Sequence, residues 1–196
     1  MEKINPGHLV KNKLFMTFLL AVLFGFIAVG ALRSNYSTMT KLRTEVSIAD
    51  EQNGDVEVAL QKLRSHVHAH MNTNLSSGNS AIKPPIQLKY RYERLQATEA
   101  ERVKSFNVGV GAEGERICGA QFPNGGFNPE RVACIQNYVA QNAIKESAVA
   151  DDLYKFDFVS PSWTPDLAGI SLVISIGFLA VSLVGVAINQ IKKRYL

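Results

Sequence analysis

Three histidines alternate within SHVHAHMNTNLSSGN, residues 65–79. Imidazole is the commonest metal ligand and the side chain best suited to carry protons near neutral pH. On a helix, His66 and His70 stand one turn apart on a shared face, while His68 points the other way. At most two can meet one ion, and a zinc site needs a further ligand from another element. The HExxH pattern, with its catalytic glutamate, is absent. His70 also lies beside Val67 on an apolar seam, where a hydrogen-bonded histidine close to a helix C-terminus is ordinary. The stretch is expected to be the end of a helix and the start of its turn, with no metal and no cofactor.

Two cysteines, Cys118 and Cys134, frame the turn FPNGGFNPE. An even count in an oxidising compartment favours a disulfide. Closing a loop of about 16 residues, it contributes about 3 kcal/mol. Neither cysteine has a neighbouring Cys or His at metal-ligand spacing. The neighbouring acids Asp151 and Asp152, and Glu99 and Glu101, fall in helical or capping contexts and read as solvated charges. With no nucleophile motif and no phosphate-binding glycine loop, no enzymatic activity is expected.

What must position these residues is a chain of 196 with two long uncharged apolar stretches. Residues 14–32 read LFMTFLLAVLFGFIAVGAL, and 167–191 read LAGISLVISIGFLAVSLVGVAINQI. At about 1.5 Å per residue, each can cross a hydrocarbon layer about 30 Å thick. Buried helices of soluble proteins seldom run so long without a charged face. The first stretch exceeds the apolar region of a cleavable signal, about 7–15 residues, so an uncut anchor is expected. Small residues at Ala21 and Gly25, and at Ser171 and Ser175, would let helices approach closely, and a homo-oligomer is one outcome.

Charge gives the orientation. Lys3, Lys11 and Lys13 precede the first stretch, and Lys192, Lys193 and Arg194 follow the second, against Glu2 alone. The formal +4 of the whole chain therefore resides in the tails, where the positive-inside rule places it. Residues 1–13 and 192–196 are expected in the cytoplasm and 33–166 outside. Tails so short hold no kinase or nucleotide site. Without a basic patch in 33–166, nucleic acid is not an expected partner.

Within 33–166, positions 39, 42, 46, 49, 53, 56, 60, 63, 67 and 70 form a heptad seam, which predicts a long helix of coiled-coil type over 33–72. Its weak point is Asn53-Gly54-Asp55, where Asp55 is suited to cap a fresh helix. A distal turn over 73–85 follows, then a return helix over 86–112. A disulfide-framed helical hairpin spans 116–144, with Asn128 as cap and Pro129 in the first turn. An aromatic and proline-bearing membrane-entry segment occupies 154–166, with Tyr154, Phe156, Phe158 and Trp163 as interface anchors. No strand-like alternation of useful length appears. The expected fold is an all-α membrane protein: two transmembrane helices flanking an extracytoplasmic helical hairpin or bundle with one disulfide. An unbroken helix over 33–72 would carry the 73–85 turn about 60 Å from the membrane. Asn74, Ser76, Ser77, Gly78, Asn79 and Ser80 would there meet a protein partner first.

HMNTNLSSGNSAIKPPIQLKYRYERL, ICGAQFPNGGFNPERVACIQNYV and LYKFDFVSPSWTPDLAG resemble segments of small, uncharacterised membrane proteins of Saccharibacteria and related candidate-phyla bacteria. The resemblance covers most of 33–166 and the entry to the second span. It implies a bacterial cytoplasmic membrane with the domain facing outward, and no activity.

The expected role is a non-enzymatic envelope protein that engages the bilayer and protein partners as a scaffold, adhesin-like or sensor subunit. An alternative is a polysaccharide chain-length regulator, a class similar in its two spans, short tails, outer helical segment and proline-rich entry to the second span. SPSWTPDLAG supplies that entry here, whereas no α/β base beside the membrane is readable. A metal-dependent hydrolase at His66 and His70 is the third.

Overall fold

Residues 14, 17, 21, 24, 28, 31, 35, 39, 42, 46 and 49 advance by three and four, and all are buried or half-buried. The inward face of the first helix is thus one seam, which begins inside the first apolar stretch and runs far beyond it. The computed structural model describes residues 6–77, 85–123, 127–159, 161 and 163–195, with the backbone alone for 6–12, 193 and 195. The chain is mostly helical, 78% in five helices. These are α1 (Pro6–Glu51), α2 (Val56–His70), α3 (Lys89–Gln121), α4 (Pro129–Asn142) and α5 (Leu167–Tyr195). Three short strands, β1 (Asn74–Ser77), β2 (Ile86–Gln87) and β3 (Lys155–Val159), form a sheet in the order β1-β3-β2. The sheet corrects the all-α expectation. Strands this short cannot display the alternation by which a sequence announces them.

The chain divides into two compact units. The first comprises Met1–Ala49, Gly54–Ser76 and Asp157–Leu196. In it, α5 lies antiparallel to the first half of α1. Ser182 Oγ is 2.8 Å from Thr17 Oγ1, Ser175 Oγ donates to the Ala21 carbonyl at 2.8 Å, and Phe24 stacks on Phe178. The contact is made by small residues: Ala21, Ala28, Ala168, Ser171 and Ser182 are all buried. Two helices, over Lys13–Glu51 and Leu167–Lys192, contain windows apolar and long enough to cross a membrane. Their remaining apolar side chains, including Phe15, Phe26, Val173 and Leu183, face outward.

The second half of α1 is partnered by α2, which turns back along it. Val46, Leu60, Leu63 and Val67 are each at most 1% exposed and form this core. The helix expected over 33–72 is therefore two helices. α1 ends at Glu51, Asn53 takes a left-handed φ of 54°, and the Gly54 N–H bonds the Ala49 carbonyl at 2.8 Å. Asp55 then caps α2 through the Val58 N–H at 3.0 Å. One heptad pattern serves a continuous helix and a hairpin equally well, because the turn consumes a short stretch of the repeat without shifting its phase.

The second unit comprises Asp50–Asn53 and Ser77–Phe156. Here β2 pairs antiparallel with the start of β3, Ile86 opposite Phe156 and Gln87 opposite Lys155. The return helix expected over 86–112 begins at Lys89 and continues to Gln121, so the hairpin expected over 116–144 shares its first helix with α3. Four glycines, Gly109, Gly111, Gly114 and Gly119, do not stop α3, and α4 packs along its last turns. A Cβ on Gly114 would lie 3.1 Å from Tyr138 Cδ1, so the lack of a side chain there admits the ring. Asn128 caps α4 through Glu130 and Arg131, with Pro129 in the first turn.

Candidate functional site

Asn35 comes three residues after the apolar run of α1 and occupies the next inward place. Its side-chain amide donates to Asp166 Oδ2 at 2.7 Å and to the His70 carbonyl at 2.9 Å. Its own carbonyl meets His66 Nε2 at 3.0 Å, so that ring nitrogen is the donor. One residue thus ties the end of α2 and the start of α5 to α1. Asp166, with 8% of its side chain exposed, also caps α5 by accepting the Gly169 N–H at 2.8 Å. His70 Nδ1 lies 3.9 Å from Asp166 Oδ2, and the His66 and His70 rings are 5.0 Å apart.

The next residues extend the knot. Asn72, at a left-handed φ of 52°, accepts from the Thr164 N–H at 2.8 Å and faces its hydroxyl at 3.2 Å. The Thr73 hydroxyl donates to the Val159 carbonyl at 2.6 Å. The first residues of the segment expected as a distal turn over 73–85 thus stand beside the entry to α5, and 78–84 lie outside the described residues. The turn into α2 lies at the opposite end of the α1–α2 hairpin. Of the expected partner-binding residues, Asn74, Ser76 and Ser77 lie in β1, and Gly78, Asn79 and Ser80 fall outside the described residues.

His66 and His70 share a face, as their spacing implies, while His68 is exposed. Among the described residues no group of three or more His, Cys, Asp or Glu is placed to hold a metal. The junction is built to join helices: both amide protons of Asn35 and both carboxylate oxygens of Asp166 are engaged.

The second unit has its own node at Asp50, which is 3% exposed. Its carboxylate accepts from the Tyr90 and Arg91 N–H groups at 3.0 and 2.7 Å, giving α3 the N-terminal cap that Leu88 cannot supply. Arg94 bonds both the carboxylate at 3.0 Å and the Asp50 carbonyl at 2.9 Å. Sequence reading passed over Asn35, Asp50, Arg94 and Asp166. Asn35 carried one signal, a polar residue seven places beyond Ala28 on the inward face.

Of the acidic groups considered for chemistry, Glu99 and Asp151 are tied instead. Glu99 is held down to about 2, first by its hydrogen bonds from Arg102 and then by the Ser147 N–H. Asp151 is lowered by hydrogen bonds from Lys155 and Tyr154, and Lys155 is raised by the same carboxylate. Carboxylates so stabilised in the charged form are poor proton acceptors near neutral pH.

The four aromatic anchors separate. Phe156 is 5% exposed and Tyr154 packs on Tyr92 with ring centres 4.7 Å apart, so both serve the interior of the second unit. Phe158 is half-buried, and Trp163 is 60% exposed. The segment expected over 154–166 begins as a strand, which turns Phe156 inward. Cys118 and Cys134 form the disulfide, closing a separation of 16 residues between α3 and α4. Comparison with protein-family models, curated proteins and solved structures returns no match for this chain.

Proposed function

We propose that this is a two-span protein of a bacterial cytoplasmic membrane, with both tails cytoplasmic and residues 33–166 outside. It acts there without enzymatic chemistry, as a scaffold or sensor subunit for protein partners. The observation that carries the reading is α1. A single helix begins in the basic tail, crosses the apolar layer and continues outward, tied by Asn35 to the helix that returns. Such an element presents an outer surface at a fixed height and orientation. Outward-facing Phe15, Phe26, Val173 and Leu183 support lipid contact along both spans. In the second unit Phe127, 87% exposed beside the disulfide-framed turn, is an aromatic anchor of the kind partners bury.

A photoreactive residue at Phe127 in intact cells should form a discrete crosslinked species, and an impermeant thiol reagent should label Val58→Cys from outside. Failure of that labelling would refute the topology; absence of any crosslink would refute the partner surface. A polysaccharide chain-length regulator remains the second reading. One observation favours it: β1 and β3 directly precede or adjoin the entry to α5, supplying strands where the sequence showed none. Altered glycan lengths on deletion, with no crosslink at Phe127, would select it.

A further inference from the structure

We infer that the base of the first unit is a lipid-contacting platform: Tyr36, Asn72, Thr73 and Trp163 rest in the headgroup layer of the outer leaflet. The inference rests on the two-span reading above and adds a surface to it. Its basis is the height of the junction. Asn35 comes three residues after Leu32, about 4.5 Å along the helix. The headgroup layer on each side of a hydrocarbon core is roughly 5–8 Å thick, so Asn35 lies within it.

Everything bonded to Asn35 is held at the same height. Asp166 immediately precedes the apolar run of α5, and the His70 carbonyl is 2.9 Å from the Asn35 amide. Beyond His70, Asn72 is fastened to Thr164 and Thr73 to Val159. Both fastenings lead back to the short segment that enters α5. By contrast, Ala49 is 14 residues beyond Asn35 on an unbroken helix, about 21 Å further out.

The side chains at this level suit ester and phosphate oxygens. Tyr36 and Trp163, 63% and 60% exposed, each combine an apolar ring with a hydrogen-bond donor. Asn72 and Thr73 bond the backbone of Thr164 and Val159 and add polar groups at this level. The lipid-facing surfaces of α1 and α5 lead into this layer without a break in the helices, so the occupant continuous with them is the bilayer.

Trp163 is the only tryptophan, so the full unmodified chain carries its own probe. In phosphatidylcholine–phosphatidylglycerol vesicles, lipids bearing a nitroxide on the headgroup should remove about half or more of its emission, and chain-end nitroxides much less. A fluorophore on Val58→Cys should be insensitive to both. Emission quenched by aqueous iodide and untouched by headgroup nitroxides would overturn the platform. So would Trp163 shielded from both, which would assign the surface to protein. Topology is read separately: loss of outside labelling at Val58→Cys alongside headgroup quenching would overturn the outer-leaflet assignment and the two-span orientation together, whereas preserved labelling without quenching overturns the platform alone.

Discussion

The two units solve the same problem, a long helix in need of a partner, by different means. In the first, α1 is covered by α5 and then by α2, and the core residues Val46, Leu60, Leu63 and Val67 are almost completely removed from water. Polar contacts gather at the junction around Asn35, with Thr17–Ser182 and Ser175–Ala21 between α1 and α5. In the second, α4 has no buried residue at all, and its attachment to α3 rests on Tyr138 over Gly114 and on the disulfide. A two-helix hairpin cannot bury enough apolar surface to hold itself, and a covalent link substitutes for the missing layer. The difference teaches where rigidity is needed: the first unit is held by packing along its length, the second by a staple near its end.

Packing can be broken in one unit without touching the other. Leu63 is fully buried on α2, and Leu63→Ala should cost about 3–4 kcal/mol by lost transfer energy and cavity formation. Hydrogen exchange should show α2 opening while amides near the disulfide keep their protection. Equal loss in both units would mean that they unfold as one and that the comparison is wrong. The next largest effect is covalent. Cys118→Ser with Cys134→Ser should destabilise the α3–α4 hairpin by about 3 kcal/mol. Exchange should accelerate in α4 and the last turns of α3, leaving α2 unchanged. An α4 that stays protected would show that the Tyr138 contact holds it alone.

Much of the first unit was legible because its physics is periodic. The apolar runs, the heptad seam, the Asp55 cap and the shared face of His66 and His70 all follow from spacing. What spacing could not supply was direction. The repeat from Met39 to His70 fits one helix or two antiparallel ones, and the choice turned on Asn53 accepting a left-handed φ. That single choice brought Asn72 and Thr73 beside the entry to α5. The second unit was less legible for another reason. Its fastenings are pairs distant in sequence, Asp50 with Arg94 and Asn107 with Ile144, whose residue types are ordinary surface choices until the chain brings them together. The cysteines were the exception, since a pair of thiols framing one turn has an obvious use as a disulfide. The shared face of His66 and His70 followed from spacing, but the carbonyl that His66 meets belongs to a residue 31 positions away.

The smallest expected effect tests the lightest of these fastenings. Residues 143–150 run without helix or strand, and Glu99 holds them to α3 by accepting the Ser147 N–H at 3.0 Å. The same carboxylate takes two bonds from Arg102, at 2.7 and 2.8 Å, and these are the main reason its proton affinity falls from 4.5 to about 2. A group whose folded pKa is depressed stabilises the fold above its unfolded pKa. That contribution is lost as pH falls through the folded value. The Ser147 contact should therefore be intact above about pH 4.5 and weaken progressively toward pH 2. Nuclear magnetic resonance of the full chain in detergent micelles would follow the Ser147 amide shift across that window, with Glu99→Gln as the control that removes the titration. The Asn107 bonds to Ile144 contain no carboxylate and should persist, so the segment should loosen at Ser147 first. A Ser147 shift that titrates identically in Glu99→Gln would show that another acid governs the strap.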